Sequence, residues 1–218
     1  MRTSATPLLH PDYRARSLDL EKRVADAHLP IMRYEGWRDP ARQADLWAFG
    51  RVSGIGTPGH HKTFEMAWQS SHQWGFAEDW VWWFNGAWSW TPPGNAVDGW
   101  DLFHSFATAA GLQFLRFEQP HVQLPSFNAR RLLAGTDSLP PGDASWQANL
   151  EATMTLWGPL PRKDRYGIEQ PGVPNLFDGR PAAPIPPEMV YDEERGLCLA
   201  SLSESDEDAP DVASPQEA

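Results

Sequence analysis

The sequence predicts a domain that mixes helices with short strands, at least two of them paired in a hairpin, and three observations carry that reading. Asn85-Gly86 lies between two aromatic runs, Phe76–Phe84 and Ala87–Trp90, the strongest short-range hairpin signal. Apolar residues recur at helical spacing in three separate stretches, around Leu20, Phe103 and Leu150. His121-Val122-Gln123-Leu124 alternates as a strand does. With 218 residues the chain can bury one good core with an appendage. The expected organisation is an N-terminal helical segment (1–30), a core (31–125), a C-terminal helix with a proline-rich extension packed on it (126–202) and an acidic tail (203–218).

In chain order, Leu20, Val24 and Ala27 share a stripe, so a helix is expected over Ser17–His28, with Ser17 as N-cap and Pro30 as the stop. Ile31–Tyr34 reads as a short strand ending at Gly36. Asp39 before Pro40 pairs a capping side chain with proline at the first helical position, which predicts a helix over Pro40–Phe49 closed by Gly50. From Gly50 to His72 no period is visible, and a loop of that length inside a domain is often functional. Its adjacent His60 and His61 point in different directions on any regular element and are expected to face solvent.

On the strand that follows, Ala77, Asp79 and Val81 share one face, and Glu78 and Trp80 the other. Asp79 is therefore the acid expected to be buried, and Glu78 the exposed one. After a Pro92–Asn95 loop, Trp100, Phe103, Ala107 and Ala110 form a helical stripe closed by Gly111, with His104 packed at its border. Leu112–Phe117 reads as a strand leading into Glu118. Pro120 holds Gln119 extended, and His121 then shares a face with Gln123. Asp143 caps a helix carrying Trp146, Leu150, Met154 and Trp157 and ending at Gly158-Pro159. The rest to Pro187 is irregular, and Ser203–Ala218, acidic and without large apolar groups, is expected to be disordered.

Composition narrows the function classes. A net charge of −11 argues against a nucleic-acid partner and against adhesion to anionic surfaces by bulk charge. The single cysteine, Cys198, excludes an internal disulfide and any thiolate zinc finger. No stretch can span a bilayer, so membrane insertion is not expected, and Met1–Pro30 lacks an apolar run of signal-peptide length. The chain is thus expected to be made in the cytoplasm, as a monomer. Its 12 tryptophans fit either a ligand-binding cleft or a core built of large rings.

Two stretches carry the chemistry. Ser70-Ser71-His72-Gln73-Trp74-Gly75-Phe76-Ala77-Glu78-Asp79 and Glu118-Gln119-Pro120-His121 supply two imidazoles and a carboxylate able to complete a zinc site, plus a second carboxylate beside it. Three protein ligands with a fourth position left to water mark a catalytic rather than a structural zinc. A glutamate next to that water is the usual base. Residues seven apart on one helix are about 10 Å from each other, so a hairpin is required for His72 and Asp79 to reach one ion. The competing reading makes all four ordinary polar residues satisfied within the core.

The first stretch matches S-x-H-x(2)-G-x-A-x-D and the second [DE]-x-P-H. Upstream, Gly36-Trp37-Arg38 with Gln43 and Leu46 resembles G-[YW]-R-x(4)-Q-x(2)-L. Together, over Tyr34–Leu124, the chain resembles the D-alanyl-D-alanine carboxypeptidase and L-alanyl-D-glutamate endopeptidase family of bacterial and phage zinc peptidases. The resemblance implies an α+β fold, a small antiparallel sheet flanked by helices, shared with the hedgehog signalling domain, with Zn²⁺ held by His72, Asp79 and His121. It implies Glu118 as general base, Arg38 steadying the oxyanion or the substrate carbonyl, and Ser70 and Gln43 as supporting, substrate-side polar residues. The stretch between Gly111 and Glu118 is short for the family and lacks its Gly-Gly-x-Trp. The implied substrate is a peptidoglycan stem peptide, reached by release through a phage-type pore, or met in the cytoplasm as D-Ala-D-Ala or free muropeptides. The alternative is a zinc-containing binding module of the same fold without catalysis.

Overall fold

Helices begin where the chain offers a side-chain acceptor to the free N–H groups of a first turn. The computed structural model describes residues 5–94, 98–125, 127–174 and 176–177, and the backbone of 189–192 and 196–199. The expected disordered tail lies outside the described residues. His10 Nδ1 accepts from the Asp12 amide and opens α1 (Pro11–Asp26). β1 (Ile31–Glu35) follows, and Asp39 caps α2 (Pro40–Ala48) through the Ala41 and Arg42 amides. β2 (Ala77–Phe84) turns at Asn85-Gly86 into β3 (Ala87–Ser89), as the Asn-Gly pair predicts. α3 (Gly99–Ala109), β4 (Gln113–Leu115), β5 (Glu118–Gln123) and α4 (Ala129–Leu133) come next. Asp143 caps α5 (Ala144–Trp157), and the ladders β6 (Arg162–Lys163) with β7 (Glu169–Gln170) and β8 (Met189–Asp192) with β9 (Gly196–Leu199) end the series.

The fold is α+β. Its antiparallel sheet runs β1-β2-β5-β4, with β3 beside the far half of β2, continuing the line of β5. One sheet face is covered by α1 and α3. Trp80 packs on Phe103, Trp82 edges onto Trp100, and the Tyr13 hydroxyl donates to the Val122 carbonyl at 3.2 Å. One cluster of buried side chains runs from Leu8 and Tyr13 through Trp74, Trp80 and Trp82 to Trp146, Met154 and Val173. α5 enters it through Trp146, whose indole N–H donates to the Trp74 carbonyl at 2.8 Å.

The structure corrects three expectations. α1 starts six residues before Ser17, because His10 caps it and Pro11 fills the first position. Ser17 is buried mid-helix and donates to Glu78. Glu78, expected in solvent, is fully buried, since the sheet face opposite Asp79 lies under α1. Its charge is answered by Arg33, whose Nε stands 2.7 Å from Oε1 and whose guanidinium lies over the Trp80 ring. Burial raises the Glu78 carboxyl above its usual range, against the pull of Arg33 and Ser17. The third correction concerns Leu112–Phe117, which does not lead straight into Glu118. β4 stops at Leu115, the chain turns at Arg116-Phe117, and Glu118 opens the returning strand.

Removing one member of a buried ion pair strands the other. Arg33→Met is expected to lower unfolding free energy by about 3–5 kcal/mol in urea titration. A loss within error of zero would show that Glu78 is satisfied without Arg33.

Candidate metal centre

Asp79 and His121 face each other directly across β2 and β5, so strand pairing places both side chains on one side of the sheet. His72 arrives differently from the expected hairpin. It sits on a 3-10 turn, Ser71–Trp74, capped reciprocally by Ser70 and Gln73. The turn ends at Gly75 in the left-handed region (φ 73°), where a Cβ would lie 2.7 Å from the Leu8 carbonyl oxygen, so only glycine fits. Gly36-Trp37-Arg38 is laced to this turn. The Trp37 indole N–H donates to the Gln73 carbonyl at 3.1 Å and the Arg38 amide to that of His72 at 3.3 Å.

These elements bring three atoms together. His72 Nε2, Asp79 Oδ1 and His121 Nδ1 lie 3.3 Å from one another on every side, and all three residues are buried. Both imidazoles are held by their other nitrogen. His72 Nδ1 stands 2.7 Å from the Gly36 carbonyl oxygen, and His121 Nε2 stands 3.0 Å from Gln123 Oε1. Carbonyl and amide oxygens only accept, so the protons reside at those outer positions and the inner nitrogens present lone pairs. The Ser71 hydroxyl, 3.4 Å from the same Gln123 oxygen, keeps the amide turned that way.

Two lone pairs and a carboxylate oxygen facing inward repel unless a cation lies among them. A tetrahedral ion bound at about 2.0–2.1 Å places its ligand atoms about 3.3–3.4 Å apart, the edge found here. The residues present therefore fit Zn²⁺ in donor type, spacing and second contacts. The surrounding charges agree. Burial alone would raise the Asp79 carboxyl, but His72, His121 and Arg38 hold it well below the usual range. Burial would lower His121, yet Asp79, with Glu118 behind it, raises it overall. The cluster draws positive charge, whether proton or metal.

Arg38 is placed behind Asp79. Nη2 donates to Asp79 Oδ2 at 2.8 Å and to Glu35 Oε2 at 2.5 Å, Nε donates to Glu35 Oε2 at 2.8 Å, and Nη1 to Gln43 Oε1 at 2.9 Å. Of its five N–H groups one, on Nη1, remains for the cleft. Gln43 is wholly buried. Its oxygen accepts from Arg38 and Gln73, and its nitrogen donates to Thr63 Oγ1 and the Glu65 carbonyl. It has no surface for a substrate, which corrects the expectation for this residue, and it acts as a strut between the Arg38 guanidinium and the 63–65 loop. Ser70 borders the cleft, but its hydroxyl caps the turn bearing His72.

His72 and His121 line an open cleft of about 380 Å³. One wall is the 61–65 loop with exposed Phe64, and the other is the β4–β5 turn with exposed Phe117. Glu118 stands exposed on that second wall. On a regular strand it would point away from His121, three residues on. The ladder slips between Phe114 and Leu115, leaving Gln119, Pro120 and His121 bulged against β4, and the bulge turns both side chains to the cleft. Pro120 sits where no ladder donor is needed, and His104, stacked on Phe114 at 4.1 Å, holds the Gln119 carbonyl at 2.8 Å. His60 and His61 are exposed as expected, and His61 reaches the cleft rim.

Sequence reasoning missed Glu35, which is buried and bound to both Arg38 and Arg42, and missed what Gln123 does. For Gln123 the i, i+2 spacing from His121 was a signal, and for Glu35 only tertiary contact reveals the role.

No family model matches the chain, and no curated protein matches it. Among solved structures the chain is similar to the L-Ala D-Glu endopeptidase ChiX of Serratia marcescens, at 21% identity over 57% of this chain and 90% of that one, with a TM-score of 0.37.

Because Gln123 fixes the His121 tautomer, Gln123→Leu is expected to weaken zinc binding by about 10–100-fold in a chelator competition, with the fold retained. Unchanged affinity would mean that the ring is oriented by Asp79 alone.

Proposed function

We propose that this protein is a zinc-dependent peptidase acting on peptidoglycan stem peptides, with residues 31–125 forming the catalytic core. The observation that carries the reading is the convergence of His72 Nε2, Asp79 Oδ1 and His121 Nδ1 at tetrahedral spacing beneath an open cleft that also holds Glu118. The choice of a wall stem peptide rests on the resemblance of the motifs at 36–46, 70–79 and 118–121.

Zinc, when bound by these three residues, supplies Lewis acidity, polarising a peptide carbonyl and making water acidic near neutral pH. Glu118, at the cleft wall and free of any ion pair among the described residues, accepts the proton of the attacking water and returns it to the leaving amine. Arg38 holds Asp79 through Oδ2, so that Oδ1 stays turned inward, and offers its remaining Nη1–H to charge that grows on the carbonyl oxygen. The Gly36 carbonyl and the Gln123 side chain, each accepting from an outer ring nitrogen, keep the imidazoles aimed inward. No helix among the described residues is long and apolar enough to cross a membrane.

Glu118→Gln is expected to keep one zinc per chain and to slow hydrolysis of purified peptidoglycan by about 10²–10⁴-fold. His72→Ala and His121→Ala should instead lose the metal, read by elemental analysis. Mass spectrometry of the digest identifies the bond: a new amine on D-glutamate marks an endopeptidase, released D-alanine a carboxypeptidase. Tight zinc with no new termini would refute the peptidase and leave a binding module.

A further inference from the structure

Side chains two apart on a strand, and directly opposed residues on neighbouring strands, share a sheet face. Asp79, Val81 and Trp83 are such a set on β2. Met32 of β1 lies opposite Val81, and Trp88 of β3 opposite Trp83, with Trp90 two residues on. The slip between Arg33 and Glu35 leaves Tyr34 bulged toward the same side, where its ring meets Trp88 and Trp90. The sheet face that carries the metal centre at one end therefore carries a cluster of edge-to-face aromatic rings at the other. Successive centroids along Trp90, Tyr34, Trp88 and Trp83 are 5.1, 5.3 and 4.7 Å apart.

The ring cluster is open to solvent. Trp90 is 48% exposed, Trp83 36% and Met32 49%. Rings left on a surface in one contiguous patch mark a binding site more often than scattered apolar residues do. The patch also abuts the cleft. A hollow of about 420 Å³ is bounded by Trp90 on one side and Glu118 and Phe117 on the other, with Arg116 and Gln119 at its edge. Glu118 and Phe117 belong equally to the metal cleft, so the two surfaces are continuous.

We infer that this platform binds the uncharged sugar rings of the wall glycan, seating the strand beside the cleft while its stem peptide enters. A pyranose presents a flat C–H face to stack on Trp and Tyr rings and a rim of hydroxyl and amide groups. Indole N–H groups and the Arg116 and Gln119 side chains meet that rim. The net charge of −11 disfavours anionic polymers on this surface, and a neutral glycan suffers no such penalty. The inference rests on the peptidase reading for the identity of the polymer, but its binding test does not.

The test uses the full chain and a hexamer of β-1,4-linked N-acetylglucosamine as probe. NMR of ¹⁵N-labelled indoles, assigned by Trp→Phe variants, should show saturable shifts at Trp83 and Trp90, and Trp90→Ala should weaken binding about tenfold, the loss of one good ring contact. Trp90→Phe should restore most of it, and Trp83→Ala, at the far end, should weaken it independently. The ratio of kcat/KM on polymeric wall to kcat/KM on a free stem peptide should fall about tenfold in Trp90→Ala. No shift on titration, or shifts confined to other tryptophans, overturns the platform. An equal loss on free peptide and polymer also overturns it, by assigning Trp90 to the peptide cleft. If the wild-type protein cleaves neither substrate, the peptidase reading fails, and the hexamer titration alone decides the platform by the same criteria.

Discussion

The structure depends on holding three electron-rich atoms 3.3 Å apart on one side of a sheet. Left alone they repel, and burial removes the water that would screen them. Each is restrained by a bond made on its far side: the Gly36 carbonyl behind His72, Gln123 behind His121 and Arg38 behind Asp79. Those restraints come from separate segments of the chain, so the centre forms only when the sheet, the capped turn and the Gly36–Arg38 segment have assembled.

Charge balance around Asp79 explains a group with no direct part in the cleft. Asp79 and Glu35 are two buried carboxylates answered by Arg38 and Arg42. Burial would raise Glu35, but the two guanidinium groups hold it below its usual range, and Glu35 and Asp79 in turn raise Arg38. The network stays ionised and rigid, which spares Asp79 from taking up a proton. Four of the five Arg38 N–H groups are spent in this way, so its first task is to aim a carboxylate. Gln43 extends the same network to the 63–65 loop and so couples the centre to one wall of the cleft.

The two faces of the sheet divide the work. Beneath α1 and α3, Trp80, Trp82 and Val122 build the core, and Glu78 is tolerated there only with Arg33 and Ser17 beside it. The opposite face carries Asp79, His121 and Gln123 and then the exposed rings, uncovered by α1 or α3. A strand of nearly continuous aromatic residues thus serves a core and an open surface at once, through a period of two.

Much of this was legible in the letters. The Asn85-Gly86 turn, the Asp39 and Asp143 caps, the stripe of α3 and the shared face of His121 and Gln123 all follow from local rules, because turn chemistry, capping and periodicity act over a few residues. The clustering of His72, Asp79 and His121, with Glu118 on the cleft wall, was likewise anticipated by spacing and motif. Local rules failed where a partner came from afar. Glu78 looked exposed because alternation cannot tell a solvated face from one roofed by α1, and Ser17 looked like a cap because its buried acceptor lies 61 residues away. Gln43 looked like a contact for substrate until packing closed over it. The bulge that turns Glu118 toward His121 was equally invisible, since ladder register belongs to two strands together and is written in neither alone.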